Sequence, residues 1–451
     1  MPFQPLHSKA LACVLSHLVE VRELKKIIIW EEQRTMKSYV DKLDRKIFPY
    51  IECEGYEDVY PTYNSCSFSE EFYQELSFAS KELFEIFEKT FNIFRNCSCD
   101  FLKQMEMPKK LYDFMRVENN LNKPSFLSRF DFIVDEQYGL HVVELNADTP
   151  CALVEAYYAN KVANDYLHKK DANAKYYNDL KTMFKQIFIM NRESLPDGSN
   201  ICFSCFTDFI EDCGNAKFLY ENAKQALKEM NYNYNVFFVD FKKLRIDEEG
   251  LILPNGEYAR FLYRLHPVEL LINEPNDLGI DLFNLVKNNK LIMMNPIESI
   301  VIQNKGFLAL VWSLHKNSEF YNEYENSIIE KYILPTYFSS ELFDDNSYVK
   351  KPIWGREGHG IKLFDNGELI EEKELAKNEE CYIIEMDSNT YVYQKFIQSI
   401  KCPAMVGHGK IDGFLTMSCF VLNGIPSAYF CRLSEDNIAG IEAYCIPLSV
   451  K

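Results

Sequence analysis

The chain has 451 residues, 47% hydrophobic and 26% charged, a globular balance that excludes a disordered chain and leaves room for two or three structural units. Its formal net charge of −18 argues against a nucleic-acid duplex or an anionic membrane surface as partner and would attract a cationic small molecule. No run approaches the ~18 apolar residues of a membrane span.

At the N-terminus a short apolar run, Ala10–Leu15, is broken by Ser16, His17, Glu20 and Arg22. It is too short for a secretory signal, so a cytoplasmic protein is expected. The 14 cysteines are scattered, which fits reduced thiols, and Cys13, Cys53 and Cys66 are expected to be structural. Residues 1–120 are expected to form a largely helical region. Within it Phe72, Leu76, Ala79, Leu83, Phe87, Phe91 and Phe94 recur every three or four residues, one buried stripe of a helix spanning 67–94. Ser67 with Glu70 reads as its capping box.

From about 121 the pattern turns to strands, and residues 121–300 are expected to form a β-rich core. In Ser128–Asp148, Phe130, Phe132 and Val134 share one strand face while Arg129 and Asp131 share the other. In the returning strand Val143 and Leu145 oppose Glu144 and Asn146. A four-residue loop over Glu136–Gly139 sets Asp131 opposite Glu144 and Arg129 opposite Asn146, and slipping by one residue would mix the faces. Two facing carboxylates repel, so one would take a proton unless a hard cation such as Mg²⁺ were bound. The alternative is a solvated face with an ordinary Arg–Asp pair. Thr149-Pro150 reads as the start of a helix over 150–168, with Thr149 as N-cap, whose amides could hold an anionic group.

Further along, 201–206, 236–241 and 291–294 read as buried strands and 215–230 and 305–315 as helices. Cys202 and Cys205 form a CxxC. With only Cys213 nearby they lack the second pair of a zinc site and are expected to be buried in a strand. Asn255-Gly256, Asn366-Gly367 and Asn423-Gly424 predict tight hairpin turns. In 347–365, a strand with Lys350 and Lys351 enters the loop Gly355-Arg356-Glu357-Gly358-His359-Gly360 and a strand returns over 361–364. The spacing is not that of a Walker loop. Backbone amides and the flanking Lys and Arg could still enclose phosphates.

Arg129–Phe132, Glu144–Asp148 and Lys351-Pro352 with Gly355–Gly358 together resemble the synthetase part of the glutathionylspermidine synthase family. So do Asn304-Lys305, Ile333–Pro335 and Tyr391–Gln394, in the family's order, and Arg264–Glu269 looks like a drifted family motif. The resemblance spans roughly 70–450 and implies an α/β (α+β) ATP-grasp fold, with 301–451 as its nucleotide-binding and lid region. It implies an ATP-dependent carboxylate–amine ligase that forms an amide through an acyl phosphate, from glutathione or another peptide-like acid and a polyamine or other amine. By matching position, Asp131, Glu144 and Asn146 would hold Mg²⁺. Arg129 would steady the transferring phosphoryl group, and Lys305 and Lys351 would contact the ATP phosphates. Arg356 would close over the γ-phosphate between Gly355 and Gly358, and Gln394 would lie near adenine or ribose. Glu211 and Asp212 match an acidic pair facing the amine, and Thr149 and Arg432 complete the expected substrate contacts.

The chain ahead of these motifs is short, so the family's N-terminal amidase is not expected. Ala439, Leu448 and Val268 replace a family Thr, His and Trp, changes expected to alter substrate recognition more than ATP chemistry. They motivate a second reading, a non-catalytic nucleotide-binding regulatory protein on the same fold.

Overall fold

The computed structural model describes residues 29–30, 37–52, 59–115, 123–316, 319–373 and 390–451. The expectations for Ala10–Leu15, Cys13 and Cys53 lie outside the described residues. The fold is mixed α/β with four sheets among the described residues.

The first long helix is Glu70–Phe91. Its expected stripe is buried throughout, and the ring of Phe87 packs edge-on against Phe130 at 5.4 Å. The helix thereby covers the apolar face of strand Leu127–Val134 and leaves Arg129 and Asp131 to the opposite face. Each fully buried Phe adds roughly 1.5–3 kcal/mol to this seam. The cap is not Ser67: the Ser69 hydroxyl accepts from the Phe72 amide at 3.3 Å. Ser67 instead lies in strand Cys66–Phe68, which runs parallel to Leu448–Val450, with its hydroxyl 2.7 Å from that of Ser449. Pairing with the far end of the chain outweighs the local capping pattern.

The central antiparallel sheet orders its strands Tyr444–Cys445, Ile425–Ser434, Gly409–Leu422, Leu127–Val134 and Leu140–Asn146, with Lys401–Val406 continuing the same edge of Gly409–Leu422. The strand pair at 127–146 aligns Asp131 with Glu144 and Arg129 with Asn146, as the alternation predicts. It reaches that register differently, because Val134 pairs with Leu140 and an extra residue, Val143, bulges before Glu144. Both differences amount to one residue, and they cancel at Asp131.

A second sheet holds Asn235–Asp240, Asn200–Cys205, Tyr258–Leu265 and Ile292–Met294 in parallel. Cys202 and Cys205 are buried in it as expected, and burial pushes the Cys202 thiol up to about 12. The third sheet is antiparallel, in the order Thr336–Tyr337, Tyr391–Lys395, Tyr348–Pro352, Lys362–Asp365 and Glu368–Glu372. Asn366-Gly367 and Asn423-Gly424 take positive φ at both residues, as primed turns require. At Asn255-Gly256 only Gly256 does. There Gly256 N–H donates to the Leu253 carbonyl at 2.9 Å and the loop is wider than a two-residue turn.

Candidate active site

Side chains of the other two large sheets reach the edge strand Leu140–Asn146 and its end, Lys351 at the Val143 carbonyl and Arg264 at Asp148 just beyond. On its polar face Arg129 grips Asp131 with two bonds, Nε to Oδ1 at 2.8 Å and Nη2 to Oδ2 at 2.9 Å. Its third nitrogen donates to the Cys151 carbonyl at 3.0 Å. The Asn146 amide donates to Asp131 Oδ2 at 3.2 Å and to Glu144 Oε1 at 3.3 Å. Arg432, two strands away, donates to Asp131 Oδ2 at 3.0 Å, and the Lys305 ammonium lies 3.4 Å from Glu144 Oε2.

The repulsion foreseen between the carboxylates is therefore offset by neighbouring cations. Burial alone would raise Glu144, but Lys305, Arg432, Lys351 and Arg129 hold it at about 2. Burial works against the charge on Arg129, and Asp131 outweighs it, so the guanidinium is held more firmly charged than usual.

The third sheet delivers Lys351. The bulge at Val143 leaves carbonyls on the outer edge of the hairpin. The Lys351 ammonium donates to the Val143 carbonyl at 3.3 Å and to Gln394 Oε1 at 2.7 Å. Gln394 in turn donates to the Val142 carbonyl and the Thr336 hydroxyl, both at 3.3 Å. It is buried, with its amide engaged behind the lysine. Burial lowers Lys351 to about 8, Lys305 adds to the drop and Glu144 partly offsets it.

The glycine loop follows Lys351. Lys305 donates to the Gly355 carbonyl at 2.7 Å, and Arg356 donates to Glu269 Oε1, through Nε at 3.0 Å and also through Nη2. Gly358 has φ +80°, and a Cβ there would lie 2.9 Å from the Ala439 carbonyl and 3.0 Å from Ile438 Cγ2. The loop is thus pressed against the C-terminal segment at Ile438 and Ala439.

Glu211 and Asp212 open the helix Ile210–Met230, where acidic side chains suit the N-terminal end. The Cys151 thiol lies 3.8 Å from Asp212 Oδ1. Burial pushes Asp212 up to about 6, opposed by Arg356 and by that thiol. Desolvation pushes Glu211 up as well, with Glu155 and Asp212 adding like charge, and because the residue is exposed, solvent tempers the shift.

Thr149 is buried but caps no helix. Ala152 takes φ 71° and helical backbone begins at Leu153, whose amide is capped by the Asn215 side chain at 2.8 Å. A side chain from another helix replaces the local cap, and a π-helical turn, Glu155–Ala159, follows.

Sequence reasoning missed the supports. Asp148 accepts from Arg264 at 2.6 and 3.1 Å, from the Val268 amide at 2.8 Å and from Ser299 at 2.8 Å, all buried. Asn295 accepts from the Phe126 and Leu127 amides and donates to the Leu127 and Asp148 carbonyls. It thereby ties the parallel sheet to the hairpin. Glu155, buried, accepts from Tyr50 at 3.0 Å and Tyr60 at 3.4 Å, and burial raises it to about 7. Arg264 and Glu269 were visible only as ends of a drifted motif. Asn295 carried no periodic or compositional signal.

Asp131, Glu144 and Asn146 converge as two carboxylates and an amide, the hard oxygen donors that Mg²⁺ takes alongside phosphates. The Asn146 nitrogen faces both carboxylates, so the three side chains reach one point, and turning that amide over would set its oxygen beside theirs; both Asp131 oxygens are also held by Arg129. No group of three or more His, Cys, Asp or Glu side chains suited to a metal occurs among the described residues.

The chain is similar to known proteins over most of its length. A protein of Haemophilus influenzae named "Putative acid–amine ligase" is 24% identical over 332 residues, 72% of this chain and 74% of its own. The fold is similar to that of a glutathione synthetase-like effector from Globodera pallida in its apo form, with a TM-score of 0.58 and 12% identity over 93% of this chain and 98% of the other. The family model described as glutathionylspermidine synthase preATP-grasp matches residues 32–451, and the chain belongs to the glutathionylspermidine synthase family.

Proposed function

We propose that the chain is an ATP-dependent acid–amine ligase of the ATP-grasp type, joining a peptide-like acid to a cationic amine through an acyl phosphate. The observation that carries this reading is the meeting of Asp131, Glu144 and Asn146 with Lys305, Lys351, Arg129 and Arg432 on one strand pair beside a glycine loop. Phosphoryl transfer mostly requires positioning and charge neutralisation, and these residues supply both. Mg²⁺ held by Asp131, Glu144 and Asn146 would neutralise charge on the terminal phosphates of ATP.

Lys305 and Lys351 bind ATP phosphate oxygens, and Gln394 holds Lys351 in place rather than reading the base. Arg129 and Arg432 hold the acid so that a carboxylate oxygen attacks the γ-phosphorus and ADP leaves. The amine nitrogen then attacks the acyl carbon, the acyl C–O bond breaks and phosphate departs carrying the bridging oxygen that came from the acid. The arriving ammonium must first lose a proton. Asp212, raised toward neutrality, is suited to accept it, with Glu211 holding the positive charge nearby. The glycine loop covers the acyl phosphate and keeps water away.

The acid labelled with ¹⁸O in its carboxylate provides the test. Label recovered in the released phosphate is expected. ADP formation with unlabelled phosphate would rule out the acyl phosphate route.

A further inference from the structure

Glu269 belongs to no assigned role, yet its position relative to the glycine loop is specific. It sits in the short helix Val268–Leu271, after the parallel strand Tyr258–Leu265, and only 3% of it is exposed. The Asp148 carboxylate anchors that helix through the Val268 amide at 2.8 Å. Gln303 Nε2 lies 3.4 Å from Glu269 Oε1. The same Gln303 accepts from the amides of Ala147 and Asp148 at 3.1 and 3.0 Å, directly after the strand that carries Glu144 and Asn146. A line of polar contacts therefore runs from the carboxylate hairpin through Gln303 and Glu269 to Arg356 on the loop.

Arg356 presents one edge, Nε and Nη2, to a single oxygen of Glu269. The other oxygen, Oε2, is buried with no partner among the described residues. A guanidinium held along one edge keeps its opposite edge for another anion. An idle carboxylate oxygen lets the arginine move from one-oxygen to two-oxygen contact without losing its hold. Asp212 and Glu357 lie around the same loop, and Arg356 favours the charged form of Asp212.

We propose that Glu269 is a positioning residue that grips Arg356 and turns its free edge toward the anionic oxygens of the transferring phosphoryl group. The proposal rests on the ligase reading for the identity of that anion. The grip itself does not.

The test has two arms, both on the full chain. In the first, hydrogen exchange over 355–360 is followed with and without the non-hydrolysable analogue AMP-PNP and Mg²⁺. Glu269→Gln, nearly the same shape, is expected to speed exchange of the loop in the free chain and to weaken its protection by the analogue, leaving the parallel sheet unchanged. Unchanged exchange over 355–360 in both states would overturn the proposal, whatever the activity of the chain. In the second arm, Glu269→Gln is expected to lower kcat by about tenfold to a hundredfold, the usual cost of a misplaced reacting group, with KM for ATP changing much less. In an Arg356→Ala background it should cost nothing more, and Glu269→Asp should restore part of the rate. Equal losses with and without Arg356 would make Glu269 merely structural and overturn its positioning role. If the unaltered chain forms no ADP with any acid and amine, the ligase reading fails while the exchange arm still decides the grip.

Discussion

The ammonium of Lys351 donates to the backbone carbonyl of Val143 at 3.3 Å, so the lysine of one sheet is seated on the bulge of another. The bulge is what makes this possible. A regular edge strand would keep its carbonyls in ladder spacing, whereas the inserted residue re-aims one of them. Gln394 completes the seat, and the lysine is fixed at the edge of the carboxylate cluster with its pKa lowered to about 8 by burial.

This lysine gives the site a pH response with a definite sign. With the lysine charged below about 8 and neutral above it, the hold on phosphate proposed for it is lost as pH rises. ATP affinity should therefore fall as pH rises through that value, with proton uptake on binding, and Lys351→Ala should weaken binding and flatten the pH profile. Calorimetry in buffers of different ionisation enthalpy would read the uptake. Stability should run the other way: between about 8 and the ordinary 10.5 the unfolded chain holds more protons, so this residue's penalty on folding relaxes as pH rises.

Glu144→Ala should raise the Mg²⁺ concentration needed for half-maximal turnover by about tenfold or more, the scale seen even when supporting contacts of a metal ligand are lost. Lys305 would also lose its carboxylate partner. A magnesium titration of ADP release checks this, and an unchanged midpoint would remove Glu144 from the ion's ligands.

Gly358→Ala should act on the loop without unsettling the core. The added Cβ meets the Ala439 carbonyl at 2.9 Å at a φ of +80°, a local strain of about 1–3 kcal/mol. Turnover should drop while the thermal midpoint barely moves. Differential scanning fluorimetry beside a rate assay separates the two.

Arg264→Met should be among the most damaging substitutions for folding. It strands Asp148, which is fully buried and loses two bonds, at a cost of about 3–5 kcal/mol. Lys181→Ala, at an ion pair whose Glu229 partner is 41% exposed, should cost only about 0–1 kcal/mol. Denaturant midpoints of the two variants compare the effects.

The carboxylate hairpin was legible because its alternation is local. Phe130 and Leu145 must face one side, which fixes Asp131 opposite Glu144 even though loop length and bulge both differ from the simplest reading. The helix stripe and two of the three Asn-Gly turns were legible for the same reason. What local patterns could not show was the choice of distant partner. Ser67 has a capping pattern but pairs with Ser449, and Thr149 precedes a Pro but the helix is capped by Asn215. The Asp148–Arg264 and Glu269–Arg356 pairs span 116 and 87 residues, and neither member signals the other. The acidic pair at 211–212 was singled out by family resemblance, while Glu155 needed the fold.

Release of ADP in the simultaneous presence of Mg²⁺, a peptide-like acid and a cationic amine is the most direct measurement of the central claim. ADP appearing in step with an amide product, and lost in Asp131→Asn, is the predicted result. Tight ATP binding with no ADP under any pairing of acid and amine would contradict the ligase reading and leave a nucleotide-binding protein without this chemistry.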